Sequence, residues 1–95
     1  MAGEFGIVLR KLRKEKRVTL RDVAKDTGIN YTQIAEYELG EYLPRPDKVY
    51  ILAKYYRIKA STMALIVRWE KQARRNGGFS EDAELFLASY LMNVR

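Results

Sequence analysis

Few kinds of reactive side chain are present in this 95-residue chain, which has neither cysteine nor histidine. Thiol nucleophiles, disulfides, imidazole bases and nearly every transition-metal site are thereby removed. Carboxylates, amines, guanidiniums, hydroxyls and amides remain. Glu36, Glu38 and Glu41 lie close enough to imitate a catalytic pair. No glycine-rich phosphate loop, metal cluster or nucleophile with its base accompanies them, so capping and ion pairing are expected, with no cofactor and no enzymatic activity. The stronger signal is cationic. Eighteen lysines and arginines against twelve carboxylates give a net charge of +6, and Arg10, Lys11, Arg13, Lys14, Lys16 and Arg17 crowd one short block. Residues 28–44 hold no lysine or arginine at all. Such a chain is drawn to polyanions, of which nucleic acid is the commonest in a cell.

The elements that must carry these groups are all helical. Phe5, Leu9 and Leu12 recur at i, i+4 and i+7 and predict a first helix over residues 4–16. Thr19 is an N-cap with Asp22 closing a capping box, so a second helix runs from Leu20 to Thr27 and stops at Gly28. Asn30 repeats the start signal, with Gln33 placed to return the capping bond, and predicts a third helix from Tyr31 to about Leu39, ended by Gly40. Pro44 and Pro46 make residues 41–46 a loop. A fourth helix opens at Pro46 or Asp47, with Val49, Leu52, Ala53 and Tyr56 facing inward. A long fifth covers residues 60–75, and Ser80 caps a sixth that runs to Val94. A single core of this size needs no metal or crosslink, and no apolar run approaches the ~20 residues of a membrane span.

The spacing inside the second and third helices is narrower than a generic helix pair requires. Ala24 permits close approach, Gly28 makes the turn, and Val23, Ile29, Ile34 and Tyr37 fill the wedge between the helices. With Thr19, Ala24, Gly28, Ile34, Glu38, Gly40 and Pro44 in this order, residues 5–65 resemble the lambda-repressor-like helix-turn-helix family, also called the Cro-type or XRE family. The resemblance implies a five-helix DNA-binding domain over residues 5–65, here with an extended fifth helix. Residues 66–95 then form a C-terminal extension with an additional sixth helix. It also implies an ion pair between Arg13 and Glu38.

It further implies that the third helix enters the major groove of double-stranded DNA, with its first turns on base edges and neighbouring loops on phosphates. Asn30, Tyr31, Thr32, Ala35, Glu36 and Leu39 are then the outward residues, and Gln33 either bonds adenine or returns the cap. One departure is plain. The family's phosphate-binding glutamine at the start of the second helix is Leu20 here, so that duty falls to Arg21 or to helix-terminal amides. The third helix is locally anionic, and Arg10, Arg13, Lys14, Arg17, Arg21, Arg45 and Lys48 are the candidate phosphate contacts. A solvated helical face is the other reading of the basic block.

The apolar last helix exceeds what the five-helix unit needs. It either enlarges one core or pairs two copies, and a homodimer through Trp69, Phe86, Tyr90, Leu91 and Val94 is the expectation. Tyr50, Tyr55 and Tyr56 are read as core or rim, and Lys71, Arg74 and Arg75 as suiting the negative end of the fifth helix. The function expected is a transcriptional regulator, a repressor of a palindromic operator, acting in the cytoplasm. An antitoxin that represses its own operon while binding a protein partner is a variant. A protein-interaction adaptor on the same fold is the reading from another class.

Overall fold

The computed structural model describes residues 3–93, apart from the side chains of Asp82 and of residues 90–93. Six helices follow in order: α1 (Glu4–Lys16), α2 (Leu20–Thr27), α3 (Tyr31–Leu39), α4 (Pro46–Tyr56), α5 (Ala60–Asn76) and α6 (Glu81–Asn93). The starts of α2, α3 and α6 have their cause in local capping side chains. The Thr19 amide donates to Asp22 Oδ2 at 2.9 Å and the Asp22 amide donates to Thr19 Oγ1 at 3.1 Å, closing the capping box of α2. These bonds hold the Asp22 carboxyl below its usual pKa, the backbone bond from Thr19 contributing most. Ser80 Oγ accepts the Ala83 amide at the head of α6. At α3, Asn30 Oδ1 accepts the Thr32 amide at 2.8 Å. The reciprocal bond expected from Gln33 is not made, because Asn30 engages the second helical amide rather than the third and Gln33 turns to solvent.

The stops are of two kinds. Gly28, Gly40 and Gly77 close α2, α3 and α5 in the left-handed region, where glycine carries no Cβ penalty. Arg17 and Arg57 close α1 and α4 at φ 62° and 60°, a conformation that costs a residue with a side chain about 1–2 kcal/mol.

α1 runs through the middle of the packing, against α3, α4, α5 and α6. Its Phe5, Val8, Leu9 and Leu12 join Val23, Ile29, Ile34, Leu52, Met63 and Ile66 in one core. Burial of each large side chain there contributes about 1.5–3 kcal/mol. The α1–α3 crossing depends on Gly6: an added Cβ would press into the carbonyl oxygens of Tyr37 and Glu38. The expected division between residues 65 and 66 falls inside α5, which continues without a break to Asn76.

The distal half of α5 is tied back into the first three helices. Glu70 is 3% exposed, and its Oε1 accepts the Phe5 amide at 2.9 Å, filling the role of a missing N-cap side chain on α1. Arg74 pairs with Glu70 at 3.1 Å and its Nη2 donates to the Gly40 carbonyl at 2.6 Å, at the negative end of α3. α6 folds back through Ala83 and Leu87, which are buried. Trp69 and Phe86 meet edge to face at 5.2 Å, so these two expected dimer residues contact one another within the chain. The side chains of Tyr90 and Leu91, and Val94 altogether, lie outside the described residues. No helix among the described residues is long and apolar enough to cross a membrane.

Candidate nucleic-acid interface

The surface of interest is the outer side of α3. Ile34, Tyr37 and Glu38 point inward and are buried, which leaves Tyr31, Thr32, Gln33 and Leu39 exposed, with Ala35 and Glu36 half-buried beside them. Tyr31 and Leu39 are 43% and 57% exposed, a large apolar investment for a helix facing water alone. Asn30 is exposed, but its carbonyl oxygen is occupied by the cap. Thr32 Oγ1 and the Gln33 amide form no hydrogen bond within the described chain, so donors and acceptors stand free along the first turn.

The helix is held at both ends. Arg13 Nε donates to Glu38 Oε2 at 2.8 Å, its Nη2 donates to Oε1 at 3.2 Å, and its Nη1 donates to the Val18 carbonyl at 3.1 Å. This fork bridges α1, the α1–α2 turn and α3. The bond from Glu38, more than its charge, raises the Arg13 pKa above its ordinary value. With three of its five donor hydrogens engaged inside the chain, Arg13 is a structural tie between these elements. At the other end, the Arg21 guanidinium lies 5.3 Å from the centre of the Tyr31 ring, so α2 presents a cation beside the first residue of α3. Leu20, at the departed glutamine position, packs on the core.

The remaining cations separate into two groups. Arg45 and Lys48 line a cleft of ≈ 460 Å³ with Gln33, Glu36, Tyr37, Tyr42, Leu43 and Asp47, directly alongside α3. Lys48 Nζ stands 3.9 Å from Asp47 Oδ2. Burial raises the Tyr37 pKa, and the charges of Asp47 and Glu36 raise it further. Arg10, Lys14 and Arg17 belong instead to the outer stripe of α1 with Ile7 and Lys11 and share no cleft with α3.

Three features escaped the sequence pattern. Tyr42, 60% exposed, stands at the mouth of the α3 cleft. Tyr50, read as core or rim, is exposed. Glu70 with Arg74 is the third, and a signal for it exists. Met63, Ile66, Val67, Glu70 and Ala73 share one inward stripe of α5, so a carboxylate stands on an apolar register. Buried carboxylates need partners.

Among the described residues no group of three or more carboxylates is placed to hold a metal ion. The family model described as a helix-turn-helix domain matches residues 6–65. No curated protein and no solved structure matches the chain.

Proposed function

This chain belongs to the helix-turn-helix family, of the lambda-repressor-like type, and on that premise we propose that it is a sequence-specific DNA-binding transcriptional regulator, acting as a repressor. One observation carries the reading: the free first turn of α3, with Tyr31, Thr32 and Gln33 exposed, flanked by Arg21 on one side and Arg45 and Lys48 on the other. Side chains on the helix read base edges in the major groove, and the flanking cations bind phosphate. Arg21, Arg45 and Lys48 are the inner frame; Arg10, Lys14 and Arg17 on α1 form an outer one that reaches DNA beyond the groove itself. The acidic Glu36 accepts from cytosine N4 rather than approaching a phosphate.

A regulator of this kind binds as a homodimer on paired half-sites about one helical turn apart and works where the chromosome is, in the cytoplasm. Selection of bound fragments from randomised duplex DNA tests the reading. Enrichment of a motif with two related half-sites is the expected result; recovery of unbiased fragments, or of none, overturns it.

A protein-interaction adaptor is the second reading, favoured by the exposure of Leu39 and Tyr42 at the far end of α3. In that case the selection fails, while Leu39→Glu abolishes capture of a protein partner.

A further inference from the structure

The groove between α4 and α5 is separate from the proposed DNA-reading surface. It encloses ≈ 470 Å³ between Pro44, Pro46, Val49 and Tyr50 on one wall and Ala60, Ala64 and Val67 on the other. Loop 41–46 divides it from the α3 cleft, and no residue lines both. Its lining is apolar and unsuited to a nucleic acid, yet its far rim carries Arg68 and Lys71, both exposed. Neither has an acidic partner among the described residues. Both precede the last turn of α5, where the helix dipole accounts for Arg74 and Arg75 but no longer for them.

The complementary chemistry occurs in the same chain. Residues 77–93 contain three carboxylates and no lysine or arginine. α6 buries Ala83 and Leu87 but leaves Leu85 66% exposed, on an outer face where Glu81, Leu85 and Ala88 follow at i, i+4 and i+7 with Glu84 beside them. Glu81 and Glu84 form no ion pair among the described residues.

We propose that the groove receives the outer face of α6 from a second copy of this chain, Leu85 entering between Tyr50 and Ala64 while Glu81 and Glu84 meet Arg68 and Lys71. Reciprocal exchange closes a twofold dimer in which every contact occurs twice. Two chains of charge +6 repel one another, and this is a contact in which their charges attract instead. The small Ala60 and Ala64 allow the incoming helix to approach closely. The pairing supplies the second DNA reader and in that respect rests on the proposed function, although the contact itself is protein on protein.

Sedimentation equilibrium of the full chain, without DNA and at low salt, is the test. The unaltered chain is expected to be a dimer. Arg68→Glu with Lys71→Glu, and separately Glu81→Lys with Glu84→Lys, each weaken it by about a hundredfold, since like charges then face one another. An equimolar mixture of the two variants restores the dimer, because both contacts again join opposite charges; chains that had merely lost their fold would not recover on mixing. A monomeric unaltered chain, a dimer indifferent to both reversals, or a mixture that stays monomeric each overturns the proposal. A chain that dimerises in this way yet selects no DNA sinks the proposed function and leaves the contact standing.

Discussion

Glu70 accepts the backbone amide hydrogen of Phe5 at 2.9 Å across a sequence separation of 65 residues, so the second half of α5 completes the first turn of α1. Glu70→Ala leaves that amide unsatisfied and frees Arg74 from its ion pair. Arg74 is itself half in solvent, which limits the penalty. A loss of about 2–3 kcal/mol in unfolding free energy is expected from urea denaturation. Glu70→Gln keeps an acceptor and loses about half as much. A midpoint unchanged by Glu70→Ala would mean that the amide finds another partner.

The Arg13–Glu38 fork is nearly enclosed, and its two halves are not equivalent. Arg13→Ala strands a carboxylate inside and costs about 3–5 kcal/mol. Glu38→Ala costs less, because Arg13 still donates to the Val18 carbonyl. Replacing both with apolar residues, Arg13→Met with Glu38→Leu, recovers most of the loss. Chemical denaturation of the three variants checks the order; additive losses in the double variant would count against it.

Tyr55 Oη donates to Asp26 Oδ2 at 2.8 Å, and burial first, then this bond, push the phenol pKa from 10.0 up to about 12. The unfolded chain releases that proton near pH 10 while the folded chain keeps it. Stability is therefore fully present below pH 10 and lost as the pH rises through about 12. Tyr55→Phe, less stable at neutral pH, narrows its deficit over that window. Thermal melts at pH 7, 10 and 11.5 measure it, and a constant gap refutes the linkage.

Binding variants separate base reading from phosphate contact. Thr32→Ala and Glu36→Ala relax preference at single base positions, by about 1–3 kcal/mol per lost contact. Arg45→Ala weakens all sequences alike and lowers the salt-dependence slope by about one. Titrations against single-base operator variants at two salt concentrations distinguish the patterns. Loss of preference on Arg45→Ala would move that residue from frame to reader.

Helix boundaries were readable in the sequence because caps and glycines are local chemistry: Thr19, Gly28, Asn30, Gly40 and Ser80 do in the structure what their neighbours imply. Arg17 and Arg57 end helices with no such mark: each is left-handed in a closing turn, with the amide of Val18 or Ile58 donating back to the Arg13 or Ala53 carbonyl. The inward and outward sides of α3 were also legible, from periodicity and resemblance together. What sequence left unseen is long-range. Nothing near Glu70 reveals that its partner is an amide in the first turn of the chain, and nothing in a list of cations divides those beside α3 from those on the outer stripe of α1. The contact between Trp69 and Phe86 is unseen for the same reason: an apolar residue in excess of one stripe does not say which other element it meets.

Gly6 sets a limit on how this protein could be retargeted. Because the backbone of α3 rests where any larger residue at position 6 would stand, the helix has no room to tilt or slide toward α1. On the proposed DNA-reading function, a new sequence preference is therefore to be sought by exchanging the side chains that α3 already presents, with the angle of the helix kept as it is.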